Sequence, residues 1–300
     1  MILENIVLVL GLIGLGSLSK RSGIFPDNTP DVLNKFILNI SLPAIIIISI
    51  SKLVFDSNML IPVAIHWGVF LFHILVLYFV CKILKFSNSV FGALLIVTTL
   101  GNTAFLGIPM VNTFLGSEAV PYAVLYDQLG SGIGFIIFGA FVLPRFVGKS
   151  VGNPKDVLKG LFKFPPFVAL ILGFVFMSVP MPNVLESYLG SIASTLIPCA
   201  MIAVGFQMKY RLPKSTLYPM GVGLFIKLLI IPFITLFVVT LAGGDSIAAK
   251  TSILQSGMPP MITAGAMVMA EKLEIDLCTS LVGYGLFFSF ISLSLINLFL

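Results

Sequence analysis

Two stretches of the chain place helix-weakening residues and hydrogen-bonding side chains inside long apolar runs. They are TTLGNTAFLGIPM, residues 98–110, and ILQSGMPPMITAGAM, residues 253–267. Glycine is a weak helix former and proline lacks an amide hydrogen, so each stretch is predicted to interrupt a helix, at Gly101-Asn102 and at Pro259-Pro260. A half-helix that begins at a break directs free amide hydrogens and partial positive charge into the gap, which suits an anion. The candidate substrate-binding residues are Gly101, Asn102, Thr103, Gln255, Pro259, Pro260 and Thr263.

Three more polar side chains inside apolar runs are candidates for coupling or for charge compensation: Lys227, Asp127 and Gln128. A lysine deep in a membrane costs about 2.5–3.5 kcal/mol on insertion scales, so a partner is expected. Lys227 could compensate the charge of a substrate, pair with a carboxylate during the transport cycle, or bind backbone carbonyls. For Asp127, a proton carrier, a cation ligand and a structural partner of Lys227 all stay open.

Two histidines, His66 and His73, lie seven residues apart and therefore share a helix face. This spacing would suit a proton relay. The interpretation we favour places His66 and Trp67 at the outer membrane interface as anchors. The chain offers no third ligand in a metal-site spacing, and its three cysteines are far apart, so neither a metal nor another cofactor is expected.

The elements that position these residues must be membrane helices. Of 300 residues, 58% are hydrophobic and 10% are charged, against roughly 25% charged in soluble domains. A membrane span needs about 20 mainly apolar residues, and lipid offers the backbone no hydrogen-bond partners. The chain is predicted to be an all-α integral membrane protein with ten spans: 2–19, 32–51, 60–82, 90–116, 119–143, 165–181, 188–208, 216–242, 246–270 and 277–299.

Basic residues predict the orientation of these spans. The odd-numbered loops carry 14 of the 17 lysines and arginines, the other side carries Lys52 and Lys250, and Lys227 lies inside span eight. The positive-inside rule then puts the basic loops in the cytoplasm and both termini outside a cell membrane crossed many times. Because the net charge of +5 comes from short loops, nucleic acid is not an expected partner.

The two halves of the chain resemble each other. Residues 40–51 align with residues 195–207, with Pro43 on Pro198, and Gly101 aligns with Gly257. Each half holds five spans, and an odd number inverts the second copy in the membrane. The predicted units are a first five-helix repeat (1–144), a cytoplasmic linker (145–164) and an inverted second repeat (165–300). Matching interrupted spans in inverted repeats are typical of the binding site of a secondary transporter.

Four motifs resemble the auxin efflux carrier family: LGNTAFLGIPM, SLPA, YDQLG and MPPMITAGAMVMAEKLEI. The resemblance implies ten helices in inverted repeats, similar to bile-acid sodium symporters, in which spans four and nine cross. It also implies scaffold and transport parts, each built from both repeats, that move like an elevator. Asn102 would be the crossing asparagine, and Pro259 and Pro260 the crossing prolines. Gly101 replaces a proline of the plant exporters and their long cytoplasmic loop is missing, which favours a small-acid carrier over auxin.

The sequence therefore predicts a secondary transporter of a small organic anion, such as malate or malonate, and not an enzyme. A sodium-coupled symporter of the bile-acid type, a channel and a non-transporting sensor are the alternatives. The expected partners are the organic anion, the lipid bilayer and a coupling proton or sodium ion, and a homodimer is compatible with this prediction. The identity of the acid, the direction of transport and the coupling ion stay open at this stage.

Overall fold

The regular elements of the protein are helices, as a computed structural model shows for residues 2–53, 57–207 and 216–300. In this part of the chain we number thirteen helical segments in order: α1 (Ile2–Ser22), α2 (Thr29–Ser51), α3 (Ser57–Ile83), α4 (Asn88–Thr99), α5 (Thr103–Leu115), α6 (Ser117–Phe146), α7 (Pro154–Lys163), α8 (Pro165–Ser178), α9 (Asn183–Gln207), α10 (Leu217–Leu241), α11 (Ile247–Ser256), α12 (Ile262–Ala270) and α13 (Ile275–Asn297).

Six of the described helices are long and apolar enough to cross a membrane: α2, α3, α6, α9, α10 and α13. Helices α4, α5 and α8 are apolar but shorter. The predicted all-helical membrane class is confirmed. The basic residues Lys209, Arg211 and Lys214, which the sequence assigns to a cytoplasmic loop, lie outside the described residues.

Several long helices widen into π-helical turns just before a proline. The turn Ile37–Ser41 precedes Pro43, Phe138–Val142 precedes Pro144, and Ile226–Ile230 precedes Pro232. A proline removes one backbone hydrogen bond and its ring crowds the carbonyl four residues earlier, so the turn ahead of it is the place where a helix expands. The turn Asp127–Gly132 has no such proline and instead contains two glycines. Lys227 and Asp127 both lie in these expanded turns, which are frequent at functional sites.

Helices α1 and α9 meet at backbone distance. A Cβ atom added at Gly16 would lie 2.2 Å from the carbonyl oxygen of Ile202, and one at Gly205 would lie 2.0 Å from that of Ile13. Glycine is therefore required on both sides of the contact. Of the three glycines in residues 11–16, only Gly16 serves this purpose, because Gly11 and Gly14 face open space.

Two apolar clusters surround the centre of the molecule. One joins residues of α2, α5, α6, α8 and α9, and the other joins residues of α3, α4, α10, α12 and α13. The short helices α4 and α5, which follow each other in sequence, thus pack mainly into different clusters. The segment that connects them lies between the clusters and is held there from both sides.

Candidate functional site

The two interruptions that the sequence predicts are present, and they lie against each other. Helix α4 ends at Thr99 and α5 begins at Thr103, while α11 ends at Ser256 and α12 begins at Ile262. The backbone of Asn102 donates its N–H to the carbonyl of Pro259 at 2.7 Å. The N–H of Met261 reaches the carbonyl of Leu100 at 2.9 Å. Gly101 and Pro260 form an antiparallel β-bridge between the two breaks, which we call the crossing.

Local sequence explains why the crossing can form. Ser87 and Ser246 begin α4 and α11 as N-caps, each accepting a hydrogen bond at 3.2 Å from the amide three residues later. Pro260 needs space beside α13, and Gly285 provides it, because a Cβ there would be 2.6 Å from the proline Cδ. Gly285 was not predicted as a site residue. Its contact comes from tertiary packing and leaves no local signal.

The predicted binding residues divide between two spaces on either side of the crossing. Asn102, Thr263, Asp127 and Gln128 line a mainly apolar cavity of about 450 Å³, which we call the Asn102 cavity. Gly101, Thr103, Gln255 and Lys227 line a much smaller space that we call the Lys227 pocket. Pro259 and Pro260 form the backbone of the crossing and line neither space.

Asn102 is buried, and its side-chain nitrogen has no hydrogen-bond partner among the described residues. Its backbone is fully engaged, since the N–H binds Pro259 and the carbonyl accepts from Gly107 at 3.0 Å. A buried amide without a partner is unfavourable unless water or a ligand binds it. The side chain of Asn102 therefore has a free donor in a cavity large enough for a small acid.

Asp127 lies beside Asn102 in the same cavity and is held by two donors. Thr103 Oγ1 donates to Oδ1 at 2.5 Å, and Gln128 Nε2 donates to Oδ2 at 2.6 Å. These short bonds are typical of an ionised acceptor. The structure thus brings the coupling candidates Asp127 and Gln128 into contact with Thr103 and next to Asn102, a grouping that the sequence does not predict.

Lys227 is buried behind the crossing, where Nζ donates to the carbonyl oxygen of Ser256 at 3.1 Å. Ser256 is the last residue of α11, so the ammonium group lies at the partially negative end of a half-helix. Within the described ranges no ion pair joins Lys227 to Asp127. The contact that the lysine makes here is with a backbone carbonyl, and its pairing with Asp127 during a transport cycle stays a prediction.

Gln255 also lies behind the crossing. Its Nε2 atom donates to the carbonyls of Thr103 at 3.2 Å and Ala123 at 3.4 Å. It thereby connects α11 to the start of α5 and to α6. These two contacts favour a positioning role for Gln255. Gln255 lines the Lys227 pocket and does not line the Asn102 cavity.

His66 lies in the Lys227 pocket and not at a membrane interface, which corrects the interface prediction. Its ring is buried edge-on against Tyr126, with centroids 4.8 Å apart, and packs over Gly130, where a Cβ would be 2.3 Å away. The indole Nε1 of Trp67 donates a hydrogen bond to the carbonyl of Leu129 at 3.2 Å. Ser131 and Thr99 complete the pocket and were missed, because a small hydroxyl in an apolar helix gives no periodic signal.

A wider space of about 620 Å³ lies next to the Asn102 cavity, and Leu38, Phe105, Ile262 and Thr263 line both. This second space extends to Lys20 in α1 and Lys35 in α2. The lysines are thus on the side of the crossing on which Asn102 faces its cavity.

Fold and crossing together define a membrane transport protein. The chain belongs to the membrane transport protein family of the auxin efflux carrier type, whose family model matches residues 1–297. It is similar to an uncharacterized transporter of Methanocaldococcus jannaschii, with 26% identity over 93% of this chain and 92% of that protein. It also resembles an uncharacterized transporter of Methanothermobacter thermautotrophicus, at 24% identity over 97% and 96% of the two chains. A third relative, named "Putative malonate transporter", from Rhizobium meliloti, is 26% identical over 83% of this chain and 80% of its own.

Proposed function

We propose that the protein is a secondary transporter of small carboxylate anions, with its binding site at the crossing. The free amide of Asn102 in the Asn102 cavity is the observation that carries this proposal. Helices α5 and α12 both begin beside this cavity, so their N-terminal amides add partial positive charge. Thr263, in the first turn of α12, adds a hydroxyl donor.

As the substrate we propose a dicarboxylate such as malonate or malate, for which the cavity has ample room. The cavity is mainly apolar with a few polar groups on one wall, which is typical of a small-molecule site. One relative is named for malonate. Lys227, behind the crossing, would compensate part of the substrate charge through Gly101, whose missing side chain leaves a gap beside Nζ.

Pairwise packing supports ten spans in two inverted five-helix repeats, with α4–α5 and α11–α12 as the interrupted spans. If the repeats are superposed, α1 corresponds to α8 and α2 to α9. In the structure α2 packs on α8 while α9 packs on α1, which is the same contact with the copies exchanged. The contacts of α11 with α3 and α6 are likewise repeated by those of α4 with α10 and α13. These exchanged contacts are what a pseudo-two-fold axis between units 1–144 and 165–300 would produce.

Transport would proceed by an elevator movement. The scaffold would consist of α1, α2, α8 and α9, and the other transmembrane helices would carry the crossing. The Asn102 cavity lies between Leu38 and Leu42 of α2 on one side and the crossing on the other, hence between the two parts. With both termini outside the cell membrane, its side towards Lys20 and Lys35 would face the cytoplasm.

The test is counterflow uptake of labelled malonate by the purified protein in liposomes, with a panel of unlabelled carboxylates as competitors. We expect saturable uptake that trans-malonate stimulates, and we expect Asn102→Ala to abolish it. Asn39→Ala is the matched control, because Asn39 is an exposed asparagine bound only to the Lys35 carbonyl. If N102A transported like N39A, Asn102 would have no role in binding. If no carboxylate were moved by the natural protein, the proposal itself would be wrong.

A further inference from the structure

The Asn102 cavity contains a charge that opposes the proposed substrate. Asp127 lines the cavity, whereas the Lys227 ammonium group lines the pocket on the other side of the crossing and contacts a backbone carbonyl. An anion bound at Asn102 would therefore lie beside a second negative charge. In a buried site, like charges at such proximity disfavour double ionisation. Lys227 would compensate only part of the substrate charge from behind the crossing, and a proton on Asp127 would remove the remaining conflict inside the cavity.

The surroundings of Asp127 contain few competing proton acceptors. Helix α3 contributes His66, α6 contributes the neighbouring Tyr126, and α10 contributes Lys227. Helix α8 also packs on the Asp127 turn, and its residues Pro165–Ser178 include no titratable side chain. His66, Tyr126 and Lys227 line the Lys227 pocket, whereas Asp127 lines the Asn102 cavity. Asp127 is thus the ionisable group of this set that shares a cavity with Asn102.

Thr103 connects the state of Asp127 to the crossing. Its hydroxyl lies 2.5 Å from Asp127 Oδ1 and 3.4 Å from the carbonyl oxygen of Gly101. When the carboxylate is ionised, Thr103 donates to it. When Oδ1 carries a proton, that O–H donates to Thr103 Oγ1, and the threonine proton turns to the Gly101 carbonyl. Gly101 forms the bridge with Pro260, so the protonation state changes the hydrogen bonding of the crossing itself.

We propose that Asp127 is the coupling-proton site, that one proton travels with each substrate anion, and that Thr103 is the switch that reports the proton to the crossing. The step is balanced: a hydronium ion in the cavity gives its proton to Oδ1, one O–H bond forms there, and the same bond breaks to water after the movement. This inference rests on the proposed transport of a carboxylate. It names the coupling ion of that site.

The experiment uses the purified protein in liposomes that contain a pH-sensitive dye, with malonate as the substrate. We expect the natural protein to move one proton with each malonate, and an imposed proton gradient to accelerate uptake. Asp127→Asn, which resembles a permanently protonated carboxyl group, should reduce the proton-to-malonate ratio to zero and remove the response to the gradient. Thr103→Val should lower the number of protons moved per malonate below one. Thr103→Ser, which keeps the hydroxyl, should keep the ratio at one.

Each result decides the matter. Malonate transport by the natural protein without proton movement would overturn the proposal and needs no variant. Full coupling in D127N would exclude Asp127 as the proton site, and T103V as tightly coupled as T103S would exclude the switch. If no carboxylate is transported, the proposed function fails separately. Infrared difference spectra recorded on acidification without substrate still show whether a buried carboxylic acid appears, and whether D127N abolishes its signal.

Discussion

Replacing Lys227 with methionine removes the positive charge behind the crossing while nearly preserving the length of the side chain. Lys227 as a residue is 3% exposed, and its ammonium group donates a hydrogen bond to the Ser256 carbonyl at 3.1 Å. Losing a hydrogen bond to a charged group costs about 1.5–3 kcal/mol. Removing a buried lysine from a membrane recovers about 2.5–3.5 kcal/mol. Because these terms nearly cancel, we expect K227M to fold with a stability close to that of the natural protein.

Substrate affinity should respond much more strongly. Two unit charges about 7 Å apart attract by about 2.4 kcal/mol at an effective dielectric constant near 20. Each substrate charge would then be worth roughly 50-fold in affinity, since tenfold corresponds to about 1.4 kcal/mol. Water in the cavity weakens this interaction, so we expect at least about tenfold per charge. A dianion such as malonate should lose this factor twice, and a monoanion once.

The assay is competition of malonate and acetate with labelled substrate in counterflow, for the natural protein and K227M. Lys250→Met is the matched control. Lys250 lies near the start of α11, whereas Lys227 contacts the last residue of that helix, and Lys250 pairs with the exposed Asp245 at 2.8 Å. K250M should bind both acids normally. Equal losses for the monoanion and the dianion in K227M would refute charge compensation and leave Lys227 a structural role.

Three further outcomes are expected. Asn102→Ala should abolish counterflow but keep a monodisperse, folded protein, as size-exclusion chromatography would show. Gly205→Ala should lower stability by about 1–3 kcal/mol, because its methyl group meets a backbone oxygen that cannot move aside; thermal unfolding checks this against Gly14→Ala, where nothing lies within 4 Å. Gln255→Leu should remove the hydrogen bond to the Thr103 carbonyl and lower the free energy of unfolding by about 1–3 kcal/mol, the cost of an unpaired buried acceptor. Its thermal midpoint should fall together with its rate of transport, and an unchanged midpoint would contradict the positioning role.

Residue type alone was enough to predict the two helix interruptions. The weak helix formers at Gly101 and at Pro259-Pro260 predict interruptions, and the structure has both of them. Asp127 and Gln128 were identifiable because polar groups inside an apolar span are costly without a purpose. In contrast, Gly285 and Ser131 act only through neighbours distant in sequence, so no local pattern reveals them.

The sequence by itself determined that this chain is a helical membrane protein with two interrupted helices, because hydrophobic content and backbone hydrogen bonding in lipid permit little else. Only the tertiary structure decided which side of the crossing each polar group occupies. It put Asn102 and Asp127 in the Asn102 cavity, and it put Lys227 and His66 in the Lys227 pocket. The physical reason is that side-chain direction in an expanded or interrupted helix does not follow regular periodicity, and the neighbouring helices determine it through packing.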